Sequence, residues 1–321
     1  MLTSLQVTNA WTFGAEAPPV GLAPLTLVIG ANGAGKSNFL AACALLAQIA
    51  RGDPDALARV PLVPGRTARW TATWEGGDAY AVEVREGPDG RRMARESAFA
   101  GGTLPFADDG PFVPVARLRP AGASAVRARA ALAAIEIGGD FDAPPGSPAR
   151  RAQSERGAQR LATFDEAARD ALDAALDRFV DDVRGVEAVW GQLQVRTPTG
   201  ARVPATHLSD GTWRFLGLAL RLLGPSEASL LGLETPERDL HPDALPLLAE
   251  LLRTAATHHP VLVTTHAETL LDCFTHTPEV VCVAARDAHG TALRRVVRAT
   301  WPDGLTLGAA WRAGHLGGNR W

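Results

Sequence analysis

One lysine, Lys36, stands among 32 cationic side chains, and it lies in Gly30-Ala31-Asn32-Gly33-Ala34-Gly35-Lys36-Ser37. This is a complete G-x-x-x-x-G-K-S phosphate loop. A compact ammonium reaches between β- and γ-phosphates, where a broad planar guanidinium does not fit. Backbone N–H groups and a helix N-terminus face the phosphates, and a Ser37 hydroxyl reaches Mg²⁺. Asn32, Gly33, Ala34, Gly35, Lys36, Ser37 and Asn38 are therefore the expected contacts of a nucleoside triphosphate.

Four further stretches follow in order. Leu208-Ser209-Asp210-Gly211-Thr212-Trp213-Arg214 leads into an apolar helix that stops at Gly224-Pro225. A serine N-cap followed by glycine offers a hydroxyl, bare N–H groups and a positive dipole end, all suited to a terminal phosphate. Leu230 to Leu233 is an apolar strand that delivers Glu234, then Thr235-Pro236-Glu237. A carboxylate at such a strand end, beside a phosphate loop, organises Mg²⁺ in P-loop chemistry. Arg238-Asp239-Leu240-His241-Pro242 is an abrupt turn into a helix, and Val261 to Thr265 is a strand ending at His266.

The elements that must hold these groups are legible in the pattern. Leu25 to Ile29 reads as a buried strand and Phe39 to Ile49 as an unbroken helix, so strand, glycine loop and helix follow one another. Leu5-Gln6-Val7 alternates as a short opening strand. Ala68 to Trp74 and Tyr80 to Val84, within an alternating region over 66–100, read as an antiparallel meander. Residues 138–150, rich in Gly and Pro, read as a flexible break. Leu161, Phe164, Ala168, Leu172, Leu176, Phe179 and Val183 recur at helical spacing, with Thr163 and Glu166 as a capping box and a solvated acidic opposite face. After residue 208 short strands and helices alternate in α/β order. The strands are Val261 to Thr265, Val280 to Ala284 and Leu293 to Arg298, and the helices are Asp243 to Thr257 and Ala267 to Phe274.

Composition bounds the rest. With 321 residues, 46% hydrophobic and 21% charged, the chain can bury a large core. A net charge of −3 exerts no global pull on nucleic acid, so any such contact needs a local patch. The eight arginines between residues 116 and 160 offer one, against a solvated surface as the plainer reading. Cys43, Cys273 and Cys282 form no C-x-x-C pair and read as core fillers in a reducing compartment. With no basic n-region and no long apolar run, a cytoplasmic location and no membrane contact are expected.

The ordered set of L-S-D-G-x-x-R, P-E-x-x-L-H-P and T-T-H after the phosphate loop resembles the ABC-type ATPases of the RecF, OLD and SMC kind. It is most similar to small stand-alone bacterial AAA-family ATPases of DNA repair and anti-phage defence. The resemblance runs from Asn9 in the opening region through Leu271. It implies an α/β P-loop NTPase head with a mixed central sheet, an antiparallel β subdomain over 51–115 and a helical, variable insertion over 116–200. The nucleotide-binding core would comprise 1–50 and 201–321.

It also implies a homodimer that closes around two ATP·Mg²⁺. Lys36 and Ser37 of one subunit would hold the nucleotide, with Ser37 and Glu234 on the metal, and Ser209, Asp210, Gly211 and Arg214 of the other subunit would close over it. Asp239 would belong to a loop crossing the dimer, His266 would sense the γ-phosphate, and Trp11 would stack on adenine or serve the core. A separately encoded nuclease-like effector and DNA are the implied partners.

Three departures stand out. The position of the glutamate that orients the attacking water holds Thr235, so turnover should be slow unless Glu234 or Glu237 substitutes; a non-hydrolysing scaffold is the alternative. No glutamine occupies a metal-sensing loop, since Gln48 lies inside the first helix. No D-x-D pair or H-N-H-like cluster follows His266, so nuclease chemistry is not expected in this chain.

Overall fold

The computed structural model describes residues 1–53, 55–99, 112–113, 122–138, 141–298 and 301–318. The first seven strands are β1 (Leu2–Thr8), β2 (Val20–Gly21), β3 (Leu25–Ile29), β4 (Ala68–Trp74), β5 (Ala79–Glu86), β6 (Arg92–Phe99) and β7 (Ile135–Ile137). The remainder are β8 (Gly185–Val189), β9 (Gln192–Arg196), β10 (Arg202–Pro204), β11 (Leu230–Glu234), β12 (Val261–Thr264), β13 (Val281–Asp287) and β14 (Gly290–Arg295). The helices are α1 (Lys36–Arg51), α2 (Gly122–Ala133), α3 (Pro148–Leu161), α4 (Glu166–Phe179), α5 (Asp210–Leu223), α6 (Leu245–Ala256), α7 (Glu268–Asp272) and α8 (Leu307–Arg312).

A six-stranded sheet in the order β14-β13-β3-β12-β11-β7 forms the centre, and all its pairings are parallel except β13 with β14. Every residue of β3 and β12 is buried, as strands covered on both faces must be. Their side chains alternate between two cores. Leu25, Leu27 and Ile29 face α5 and α6, while Val28 faces α1 and the large antiparallel sheet. That second sheet has the order β2-β1-β4-β5-β6, so the opening strand joins the meander expected over 66–100. A small sheet, β10-β9-β8, packs with α3 and α4. The α/β fold with a mixed central sheet and an antiparallel subdomain is thus as expected. No helix among the described residues is long and apolar enough to cross a membrane.

The 138–150 region departs from its reading as a flexible break. Phe141 is buried with its ring centroid 4.4 Å from that of Trp213, and α3 starts at Pro148 with Ser147 as its N-cap. Ser-Pro is a helix start rather than a linker here, because proline at N1 gives up no hydrogen bond. Residues 139 and 140 lie outside the described set. The capping box also fails. Thr163 Oγ1 donates to the Arg160 carbonyl at 2.7 Å and closes α3, while the Asp165 carboxylate accepts from Ala168 N at 2.8 Å and caps α4. The helix expected after Thr163 therefore starts two residues later, as α4, with Leu161 left at the end of α3 and Val183 beyond its C-terminus. Its acidic face is partly paired: Asp173 accepts from Val186 N, and Asp177 meets Arg184 at 2.6 Å.

The α3 helix wires the insertion to the core through Arg150. This side chain is only 1% exposed, yet its guanidinium reaches Asp210 Oδ1 at 2.7 Å, the Ala143 carbonyl at 3.3 Å and the Leu208 carbonyl, and it lies over the Trp213 ring. Each hydrogen bond involving a charged group contributes about 1.5–3 kcal/mol, much of it lost when a buried partner is left unpaired. Arg150→Ala should therefore lower the unfolding free energy in urea titrations by about 2–3 kcal/mol, more than Asp210→Asn, because the Asp210 end is exposed.

Candidate nucleotide site

The phosphate loop joins β3 to α1 at the carboxyl edge of the sheet. Three glycines make the loop possible: Gly30, Gly33 and Gly35 have φ of 146°, 75° and 103°. At Gly30 a Cβ would also lie 2.4 Å from the Ala284 carbonyl oxygen on β13. Gly35 is the N-cap of α1 and supplies no side-chain cap, which leaves first-turn N–H groups available to an anion. Asn32 and Gly33 are exposed at the loop tip, as is Ser37 on the first turn of α1.

Lys36 is buried. Its Nζ donates to the carbonyls of Gly30 at 2.8 Å and Ala31 at 2.9 Å, so the ammonium lies folded along the inside of the loop. Burial holds it below the usual lysine range, and the Glu234 carboxylate partly offsets this. Asn38 does not face the loop cavity; its Nδ2 donates to Thr12 Oγ1 at 3.0 Å. Thr291 Oγ1 lies 2.7 Å from Thr12 Oγ1 and 3.0 Å from the Ala34 carbonyl. Thr12 and Thr291 thus brace the loop from behind, a role without any local motif, since the two are 279 residues apart. Trp11, with positive φ, packs edge-on against Trp70 with ring centroids 6.0 Å apart.

The acid strand ends two strands away from β3, with β12 between them. Glu234 is exposed at that end, and Thr235 N donates to the Thr264 carbonyl at 2.8 Å. Thr235 has φ of 42°, a left-handed value unusual for a β-branched residue, and its carbonyl accepts from Arg214 at 2.9 Å. Arg214 is therefore an internal brace of the acid turn within this chain. Glu237 turns back toward the neighbouring strand: its Oε1 accepts from Thr265 Oγ1 at 2.7 Å and from His266 N at 2.9 Å. Its Oε2 is buried with no hydrogen-bond partner among the described residues. Partial burial and the Lys36 charge hold the His266 imidazole below the usual histidine range, against the pull of Glu237. At neutral pH the ring is neutral, with one nitrogen to donate and one to accept.

Ser209 caps α5, accepting from Thr212 N at 3.2 Å. Gly211 is pressed against the Asp239 turn, where a Cβ would lie 2.7 Å from the Asp239 carbonyl oxygen. Asp239 itself has φ of 65° with an exposed side chain. Asp210 is engaged within the chain by Arg150. Ser209, Gly211, Asp239 and His241 line one cavity of about 540 Å³. Residues 31–34 of the phosphate loop line another of about 730 Å³, together with 284–287 and glycines of the C-terminal segment. Residues 31–34 of the phosphate loop and the Ser209 helix start thus line different cavities.

This geometry defines a P-loop ATPase fold of the ABC/SMC-head type. The sequence model of a family described as AAA domain, putative AbiEii toxin, Type IV TA system matches residues 123–272. No curated protein matches the chain in sequence. Solved structures with the same fold include the SMC head domain from Thermotoga maritima. It is 15% identical with a TM-score of 0.51, and the match covers 92% of this chain and 99% of that one. An SMC head bound to the C-winged helix domain of ScpA is 14% identical, TM-score 0.61, covering 92% and 97%. A third SMC head, with an extended coiled coil and bound to the C-terminal domain of ScpA derived from Pyrococcus furiosus, is 11% identical, TM-score 0.56, covering 97% and 98%.

The Lys36 charge gives a direct test of this arrangement. Lys36→Ala should raise the His266 titration midpoint, followed by NMR of the imidazole protons, because removing a neighbouring positive charge makes the imidazolium easier to form. An unchanged midpoint would show that the two groups do not share one field.

Proposed function

We propose that the chain is an ATP-dependent switch: two copies close around two ATP·Mg²⁺, hydrolyse slowly, and gate a separately encoded effector. The observation that carries this reading is that residues 31–34 of the phosphate loop and the Ser209 helix start line different cavities. A second copy, facing the first, would bring Ser209 and Gly211 to the nucleotide held by Lys36 and Ser37. Asp239, locked to Gly211 in the same chain, would move with the signature and so link the two sites.

The residues fit a nucleotide and its metal. Bare N–H groups at the start of α1 and the Lys36 ammonium suit a triphosphate, and the exposed Glu234 carboxylate and Ser37 hydroxyl are hard oxygen donors suited to Mg²⁺. Mg²⁺ would neutralise charge on the β- and γ-phosphates. Trp11 remains a candidate adenine contact through its exposed part. His266, neutral and held by Glu237 through its backbone N–H, is suited to read the γ-phosphate.

Thr235 decides the rate. A positioned general base contributes ~10²–10⁴-fold, and Thr235 carries no carboxylate. Glu237 has one oxygen committed to Thr265 and His266, and its other oxygen, Oε2, is buried. The second reading, a nucleotide-locked scaffold without turnover, follows from the same threonine.

Support for an effector comes from relatives: two of the matched SMC heads are bound to domains of ScpA, a separate protein, and the matching family is described with a putative toxin of a toxin–antitoxin system. These favour a partner-gating role in defence or repair, with a nuclease-like protein as the expected effector. DNA contact through the arginines of 116–160 loses part of its basis, since Arg150 is buried in an ion pair and Arg129 meets Glu96 at 3.4 Å.

The test is solution mass with and without ATP·Mg²⁺ for wild type and Lys36→Ala, with phosphate release followed in the same samples. ATP should convert monomer to dimer in wild type only; a mass indifferent to ATP would overturn the switch. Thr235→Glu should raise the release rate by about 10²-fold or more if the missing base limits turnover. No gain would mean that another residue, Glu234 or Glu237, already serves as the base.

A further inference from the structure

The phosphate loop is gripped by two residues that lie outside it. Thr12 is in the turn after β1 and Thr291 is on β14, and their hydroxyl oxygens are 2.7 Å apart. Thr291 Oγ1 is also 3.0 Å from the Ala34 carbonyl, and Asn38 Nδ2 donates to Thr12 Oγ1 at 3.0 Å. Ala34 and Asn38 flank Gly35, Lys36 and Ser37, the stretch that would meet the phosphates. One connected set of hydrogen bonds therefore holds that stretch at both ends.

Both threonines are fixed by their own backbones. Thr12 sits in the tight turn from Ala10 to Phe13, where Phe13 N donates to the Ala10 carbonyl at 2.9 Å. Trp11 N, in the same turn, donates to the Pro61 carbonyl at 3.3 Å. Trp11 has φ of 49°, a strained value for an aromatic residue that persists only where surrounding contacts over-determine it. Thr291 is 2% exposed, and its N–H donates to the Thr12 carbonyl at 2.8 Å. This close approach needs Gly290, where a Cβ would lie 2.6 Å from the Thr12 carbonyl oxygen.

The consequence falls on Gly35. The Ala34–Gly35 peptide is trans, so its carbonyl and its N–H point to opposite sides. With the carbonyl turned to Thr291, the Gly35 N–H points away from the threonine pair. That N–H makes no hydrogen bond among the described residues. Only glycine fits here: at φ of 103° a Cβ would lie 2.4 Å from Thr291 Oγ1 and 2.9 Å from Thr12 Oγ1. We infer that Thr291 and Thr12 are positioning residues of the phosphate site. The Thr291 hydroxyl holds the Ala34 carbonyl back so that the Gly35 N–H is presented to a phosphate, and Thr12 steadies the first turn of α1 through Asn38. A donor aimed in advance incurs little ordering cost when the anion arrives, so hydroxyls behind the loop set the affinity in front of it. The inference rests on the nucleotide reading above and names residues that tune that same site.

The experiment titrates the full chain with ADP by calorimetry and follows the Gly35 amide by NMR, for wild type, Thr291→Val and Thr291→Ser. Valine keeps the shape of threonine without its hydroxyl, and serine keeps the hydroxyl. Thr291→Val should weaken ADP binding about tenfold, the scale of one hydrogen bond to a charged group. Thr291→Ser should retain most of the affinity. On adding ADP, the Gly35 amide proton should move downfield in wild type and Thr291→Ser, and less in Thr291→Val. A general loss of stability would not follow the hydroxyl in this way. Should Thr291→Val fail to fold, Thr12→Val carries the test through the Asn38 end, with an expected loss of about threefold or more, the scale of a neutral hydrogen bond. Wild-type binding of ADP that the folded valine variants leave unchanged overturns the positioning role alone. Failure of wild type to bind ADP or ATP overturns the nucleotide reading, and this inference with it.

Discussion

Everything in this molecule hangs on the pairing of β3 between β12 and β13. That strand is buried on both faces and hydrogen-bonded on both edges. Such a strand cannot shift without exposing a core side chain or breaking a ladder, so the glycine loop that follows it is delivered to a fixed place. The neighbours are delivered by the same ladder. Thr264 pairs with both Val28 and Glu234, which aligns the acid, the phosphate loop and the His266 turn at one edge of the sheet. The loop then invests its only lysine in its own carbonyls, a state in which a buried ammonium keeps hydrogen bonds until an anion competes for it.

A second set of contacts ties the periphery to that edge. Arg150 on α3 holds the start of α5, Arg214 on α5 holds the Thr235 turn, Gly211 presses on Asp239, and Glu237 reaches from the same turn to Thr265 and His266. The start of α5, the Asp239 turn, the end of β11 and His266 are therefore joined by direct contacts. An insertion element, α3, is part of that set.

The acid turn is where the chain departs from the chemistry its other residues suggest. Thr235 occupies a left-handed backbone position and holds its place by donating to Thr264 and accepting from Arg214. The turn is held by these backbone bonds, and its residue 235 carries no carboxylate. Glu237 keeps a buried, unpartnered oxygen nearby, and a group in that condition has a cost that the surrounding contacts must offset.

The sequence by itself marked the phosphate loop with its strand and helix, and it singled out Lys36, Glu234, Ser209 and His266 as candidates for phosphate chemistry. It could do so because each depends on local rules: glycine at positive φ, an apolar run before a turn, a serine at a helix start. Tertiary structure alone decided that Thr12 and Thr291 brace the loop, that Arg150 is buried against Asp210 rather than part of a basic surface, and that Ser147-Pro148 begins a helix. It also decided that Asp165, not Thr163, caps α4. The physical reason is one of range. A cap or a glycine turn is settled within a few residues, whereas a buried guanidinium or a threonine pair separated by 279 residues is defined only by what packing brings beside it.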